Sequence, residues 1–260
     1  MQNLLNVALI QSHLIWENAL QNRINFEDKI NSIEQNVDLI ILPEMFNSGF
    51  TMNASEVAET MDGDTVQWMK DMAKLKHTAI TGSLVIKEND KYYNRLLFIE
   101  SDGSTHSYDK RHTFTLAGEH EVYEAGVEKL TLDYKGWKIC PLICYDLRFP
   151  VWARNKEDYD LLIYVANWPK VRVDAWDTLL KARAIENMSY CIGVNRVGLD
   201  GNNYEYTGHS GAYDVLGKRI DTIPDGKESV ELITLDKSHI RHYRNKLNFL
   251  NDRDTFSLTV

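Results

Sequence analysis

Apolar residues in this chain fall into short runs separated by polar stretches, and the spacing changes from segment to segment. Residues 4–10 and 37–42 are compact runs rich in β-formers, which predicts two buried strands. Between them, residues 16–33 carry Leu20, Ile24, Ile30 and Ile33 near helical spacing, so the start of the chain reads as a β-α-β unit. A second helix is predicted over 64–76 on Val66, Met69, Ala73 and Leu75, followed by strands over 79–86 and 93–99. Asp102-Gly103 supplies a hairpin turn into a strand ending near Tyr108. Strands over 129–133 and 137–143 flank the turn Tyr134-Lys135-Gly136, and an irregular loop spans 110–126 between the two hairpins. Beyond these come a buried strand over 161–166, a helix over 174–189, a strand over 191–196, and short strands over 210–215, 219–223 and 230–235. The segment after Ile240 is basic and then mixed in charge, with Phe249 and Leu250 placed to dock on a core or on a partner.

Composition narrows the class. At 260 residues, with 43% apolar and 26% charged residues, the chain can build one sizeable α/β core. No apolar stretch approaches the roughly 20 residues that span a bilayer. The opening segment has neither a basic flank nor a small-residue cleavage site, and a cytoplasmic enzyme is expected. Three cysteines, Cys140, Cys144 and Cys191, are too few for a disulfide framework and fit free thiols. A net charge of −9 argues against nucleic acid as a partner, because phosphate binding draws on a basic face.

Three junctions between apolar runs and polar turns carry reactive side chains. In KICPLICYDLRFP, Cys144 ends a buried run just before a polar turn, which exposes a thiol on a rigid support. Glu44 follows the strand over 37–42 in LPEMF, at a carboxyl strand end where ligands gather in open α/β sheets. Lys110 follows a hairpin strand in YDKRHTF, where an ammonium can favour a thiolate or hold an oxyanion. Taken singly, each has an ordinary structural reading: a packed thiol, a solvated turn carboxylate, a solubilising lysine.

Taken together, and in this order, the three segments resemble the catalytic motifs of the nitrilase superfamily, the carbon–nitrogen hydrolases. The resemblance continues through DLLIYVANWP at 160–169 and KARAIENMSY at 181–190, so it covers nearly the whole chain. With CYDLRFPVWARN, these last segments are most similar to the omega-amidase branch, which hydrolyses the terminal amide of 2-oxoglutaramate and related 2-oxo amides. The resemblance implies a single domain over 1–260 built as a four-layer α-β-β-α sandwich, with the tail from about 241 packing on the domain or on a partner. A homodimer is expected on the same grounds, through helices near 150–155 and 174–189. It further implies Cys144 as nucleophile, Glu44 as base, and Lys110 with the backbone N–H of Tyr145 as oxyanion donors. The second glutamate of the family matches Glu119 best, with Glu121 and Glu124 as neighbouring alternatives. No cofactor and no metal are implied.

Substrate choice would rest on the surrounding groups. Arg148 offers a planar, bidentate partner for a substrate carboxylate, or else an ion pair with Asp146 that shapes the nucleophile turn; Arg111, His112 and Arg172 are lesser candidates. Phe114, Tyr145 and Trp168 would line an apolar pocket or belong to the core. Arg183, Glu186 and Asn187 read as structural. The expected reaction is hydrolysis of a small 2-oxo acid amide, 2-oxoglutaramate or 2-oxosuccinamate, to the dicarboxylate and ammonia through a thioester. N-carbamoyl amino-acid or polyamine hydrolysis, another amidase or nitrilase activity, and a catalytically silent scaffold are the alternatives. A metal hydrolase using Cys140, Cys144, His106, His112, His120 and His209 is disfavoured, because neither a CxxC pair nor an HExxH helix is present.

Overall fold

A computed structural model describes residues 2–259. The chain runs β1 (Leu4–Gln11), α1 (Ala19–Asn31), β2 (Leu39–Ile41), α2 (Ala54–Val57), α3 (Asp64–Lys76), β3 (Ala79–Glu88), β4 (Lys91–Ile99) and β5 (Thr105–Asp109). It continues through α4 (Glu119–Val122), β6 (Leu132–Tyr134), β7 (Trp137–Ile143), α5 (Pro150–Ala153), β8 (Leu161–Ala166), α6 (Val173–Asn187) and β9 (Tyr190–Asn195). The last elements are β10 (Val197–Leu199), β11 (Glu205–Thr207), β12 (Gly211–Tyr213), β13 (Ser229–Asp236) and α7 (Lys237–Leu247).

Alternation along the strands builds the layers. On β1, Leu5, Val7 and Leu9 enter the central core, whereas Ala8 and Ile10 face the opposite way. On β4, Leu96 and Phe98 point inward while Leu97 and Ile99 point outward. The outward set packs against Phe26 and Ile30 of α1 and Val66, Met69 and Ala73 of α3. The inward set meets a second sheet, with β1 against β9 and β4 against β7. That sheet is covered on its far side by α6, through Trp176, Leu180 and Ala184. A Cβ on Gly193 of β9 would lie 2.5 Å from Leu180 and 2.6 Å from Trp176, so glycine is what lets α6 sit this close. The result is the expected α-β-β-α sandwich in one domain.

The first sheet has the order β13-β1-β2-β3-β4-β5 and the second the order β12-β9-β8-β7-β6. Strands β1, β2 and β3 are parallel, and β5 runs with them because it is antiparallel to the antiparallel β4. Strands β7, β8 and β9 are likewise parallel. The carboxyl ends of β2 and β5 therefore share one edge of the first sheet, as those of β7 and β8 share one edge of the second.

Several expectations are corrected. Leu20 and Ile24 of α1 are 62% and 44% exposed; the buried face is Asn22, Phe26 and Ile30. Asn22 wins that place by polar satisfaction, accepting from Ile15 N (2.8 Å) and donating to Ile15 O (2.7 Å) and Asn47 O (2.9 Å). Leu75 is exposed and Met72 fills the α3 face instead. Residues 219–223 contribute a single bridge, Arg219 to Tyr213, rather than a strand. The hairpin β10–β11 and the helix α7 stand where neither was expected. Asp236 starts α7, its carboxylate accepting from Ser238 N at 2.8 Å. Beyond α7, Leu250 docks while Phe249 stays exposed. Arg253 donates to Asn155 O (3.0 Å) and pairs with Asp158 (2.7 Å), both in the segment between α5 and β8. Among the described residues no helix is long and apolar enough to cross a membrane.

Candidate active site

Parallel strand ends converge on one cluster. Glu44 lies three residues beyond β2, Lys110 directly follows β5, and Cys144 directly follows β7. The loop after Lys110, expected to be irregular, contains a tight 3-10 turn over Thr115–Ala117 and then α4, whose first residue is Glu119. Glu44, Lys110 and Glu119 are all removed from solvent. The Lys110 ammonium donates to Glu44 Oε1 at 2.9 Å and to both oxygens of Glu119 at 3.0 and 2.8 Å. Glu121 and Glu124 remain solvent-exposed, so Glu119 is the second glutamate of the cluster.

Each carboxylate is held by further donors. Asn94, within β4, points its amide at Glu44 Oε1 (2.8 Å) and Glu119 Oε1 (3.2 Å). Asn167, directly after β8, gives its backbone N–H to Glu44 Oε2 (2.8 Å) and its side-chain amide to the Glu44 carbonyl (2.6 Å). Phe114 N donates to Glu119 Oε2 at 2.5 Å. Neither asparagine was singled out from the sequence. Asn94 interrupts an otherwise apolar inner half of its strand, and Asn167 sits where a buried strand gives way to Trp-Pro, which are the signals that could have marked them.

The backbone around both key residues is strained. Cys144 has φ of 41° and Met45, next to Glu44, has φ of 42°, a left-handed conformation that costs a non-glycine residue about 1–3 kcal/mol. The neighbouring bonds that hold them there include Met45 N to Ser83 Oγ (2.9 Å) and Ile143 N to Asp146 Oδ2 (3.0 Å). The payoff is presentation: Cys144 opens a 3-10 turn over Cys144–Arg148 and is only partly buried, its thiol 3.9 Å from the Asn167 carbonyl.

Electrostatics follow from burial. Desolvation and then the Glu44 carboxylate push the Cys144 thiol well above its ordinary pKa, against the pull of Lys110. Burial alone would lower Lys110, but Glu119 and then Glu44 hold its pKa high and keep it charged. Glu119 is raised by desolvation, with Lys110 opposing. Burial and the neighbouring carboxylates therefore favour the neutral thiol, with the Lys110 cation opposing them.

The thiol faces a cleft of about 470 Å³ lined by Lys110, Phe114, Tyr145, Arg148, Trp168 and Arg172, among others. Phe114, Tyr145 and Trp168 thus all reach the cleft, with the Phe114 and Tyr145 rings 4.9 Å apart. The alternative ion pair between Arg148 and Asp146 does not form. Asp146 is buried and bonded elsewhere, whereas Arg148 is exposed with its guanidinium 4.9 Å from the Trp168 ring centroid. Arg172 lies 5.1 Å from the Phe114 ring centroid. Neither arginine has an ion-pair partner among the described residues. Arg111 turns away to the Gly126 carbonyl at 3.2 Å. Arg183 and Asn187 of α6 brace the structure as expected: Arg183 donates to Leu147 O (2.6 Å) in the turn Cys144–Arg148, and Asn187 accepts from Asn155 N (2.9 Å). Among the described residues, no His, Cys, Asp and Glu side chains group to hold a metal ion.

Comparison with known proteins defines the class to which this architecture belongs. The family model described as carbon-nitrogen hydrolase matches residues 6–245, and the chain belongs to that family. It is 42% identical to the omega-amidase YafV of Yersinia enterocolitica over 98% of both chains. It is 33% identical to the 2-oxoglutaramate amidase of Bacillus subtilis over 82% of this chain and 83% of that one. Among solved structures it resembles XC1258 from Xanthomonas campestris, a CN-hydrolase superfamily protein with an arsenic adduct in its active site, at 40% identity, full coverage of both chains and a TM-score of 0.96.

Proposed function

We propose that this chain hydrolyses the terminal amide of a small 2-oxo acid amide, such as 2-oxoglutaramate or 2-oxosuccinamate, to the dicarboxylate and ammonia. The carrying observation is the cleft itself: Cys144 beside the Glu44–Lys110–Glu119 cluster, facing Arg148 and Arg172, which have no carboxylate partner among the described residues. The names of the two relatives favour the same substrate class.

In the proposed mechanism Glu44 takes the thiol proton as sulfur attacks the amide carbonyl. The resulting oxyanion is held by the Lys110 ammonium and by the N–H of Tyr145, at the first turn after the nucleophile; one such donor is worth about 3–4 kcal/mol in the barrier. Glu44 then passes its proton to the leaving nitrogen, the carbon–nitrogen bond breaks, and ammonia departs. Water, deprotonated by a carboxylate of the cluster, attacks the thioester, releasing the acid and returning the proton to sulfur. Glu119 keeps Lys110 charged and stationary throughout. Arg148, with Arg172 near it on the cleft wall, would pair with the carboxylate at the far end of the substrate.

Steady-state release of ammonia from 2-oxoglutaramate, glutamine, asparagine, aliphatic amides and N-carbamoyl compounds tests this reading, with Cys144→Ala as control. The 2-oxo amide should be preferred, and Arg148→Lys should raise its KM by about tenfold, the loss of roughly one charge-assisted bond, with little effect on a neutral amide. A preference for N-carbamoyl substrates, or equal effects of Arg148→Lys on both amides, would overturn it. The expected homodimer is kept as part of the proposal, through the face of α5 and α6 on which Val151 and Ile185 stand exposed.

A further inference from the structure

Cys144 and Lys110 reach the cleft from different sheets, and β5, which delivers Lys110, is the last strand of its sheet, paired on one side only with β4. An edge strand followed by a loop is the part of a sheet most easily displaced. One buried carboxylate crosses the gap. Asp146, two residues beyond Cys144, accepts four hydrogen bonds: Oδ2 from Ile143 N (3.0 Å) and Tyr108 OH (2.7 Å), Oδ1 from His112 N (3.0 Å) and His112 Nδ1 (2.8 Å). Tyr108 and His112 stand two residues before and two residues after Lys110. The same carboxylate therefore ties down the nucleophile turn at Ile143 and the lysine segment on both sides of Lys110.

The partners of Asp146 are themselves fixed. Tyr108 OH accepts from Trp152 Nε1 (3.0 Å) and Arg111 N (3.2 Å), and the His112 ring stacks on Phe149 with centroids 3.6 Å apart and planes 3° from parallel. Trp152 and Phe149 both follow Cys144 in the chain, so the nucleophile segment grips the lysine segment by hydrogen bonds and by stacking. Because an ionised carboxylate only accepts, the Nδ1 of His112 must carry its proton, which sets the ring's orientation.

We propose that Asp146 is a positioning residue, a latch that holds the Lys110 ammonium in register with the Cys144 sulfur across the two sheets. The proposal rests on the reading of Cys144 and Lys110 as nucleophile and oxyanion donor. Asp146→Asn tests it, because an amide fills the same space but turns an N–H toward one pair of donors, breaking one arm of the latch. A displacement of about 1 Å in a catalytic group costs about 100-fold. The expected result is a kcat lowered by about 100-fold with KM changed less than about threefold. Alkylation of Cys144 by iodoacetamide should also shift to higher pH, since Lys110 is the charge that favours the thiolate. Tyr108→Phe should lower kcat on its own yet cost less in the Asp146→Asn background than in the wild type, because both changes act in part through one carboxylate. His112→Asn, which keeps an N–H near the Nδ1 position, should retain more activity than His112→Ala. These single-arm variants carry the test if Asp146→Asn does not fold. A folded Asp146→Asn enzyme with a lower Tm but unchanged kcat and alkylation profile would overturn the latch, as would unchanged kcat in both Tyr108→Phe and His112→Ala. Full turnover in Cys144→Ala would instead overturn the catalytic reading beneath it.

Discussion

Asn94 illustrates how much of the site depends on side chains that do no chemistry. Its amide is the donor common to Glu44 and Glu119 apart from Lys110 itself, and hydrogen bonds to charged groups are each worth about 1.5–3 kcal/mol. Asn94→Ala should therefore lower kcat by about 10- to 100-fold while leaving the secondary structure intact, checked by steady-state kinetics beside circular dichroism. Glu44, Lys110 and Cys144 were readable because each stands at a strand end and their three segments, taken together and in order, resemble the motifs of one family, whereas singly each had an ordinary reading. Asn94 and Asn167 were not, since a buried amide is informative only once its partners, 50 and 123 residues away, are known to surround it. The reading of Arg148 illustrates the converse. Its sequence neighbour Asp146 offered an obvious charge, yet the 3-10 turn sends the two side chains in different directions, one into the protein and one toward the cleft.

At the scale of elements, periodicity located nearly every strand and the helices α1, α3 and α6, because alternation and helical spacing report directly on which face is buried. It misassigned the buried face of α1, where a hydrogen-bonding asparagine outcompetes Leu20 and Ile24. Asn22 also reaches the carbonyl of Asn47, three residues past Glu44, so this helix steadies the loop bearing Glu44. Asn22→Ala should destabilise the protein by about 1–3 kcal/mol by stranding buried backbone groups, whereas Leu20→Ala should change stability by no more than about 0.5 kcal/mol. Urea denaturation of the two variants separates them. The helix α7 escaped notice because it is short and mostly basic, its stripe reduced to Ile240, Tyr243 and Leu247 with Ile240 alone buried, and the Asp236 cap marks its start.

For the molecule as a whole, the interior carries groups that resist ionisation. Burial raises Cys140 from 9.0 to about 12 and drives Tyr108, Tyr159 and Tyr164 well above their ordinary range. Because these pKa values are higher folded than unfolded, the native state binds more protons than the denatured state on the alkaline side, and stability falls as pH rises. For Cys140 the contribution is complete below about pH 9 and is lost progressively towards pH 12; three pKa units correspond to about 4 kcal/mol. Thermal unfolding should accordingly give a Tm that declines steeply above about pH 9. A flat profile to pH 11 would contradict the burial of these groups.

The two-sheet architecture has a consequence for the life of the chain before it is complete. Glu44, Lys110 and Glu119 belong to the first sheet and its loops, and Cys144 to the second. A partly folded chain in which either sheet stands alone thus lacks part of the cluster. The four side chains meet only where the two sheets pack on each other, so the appearance of turnover reports that packing.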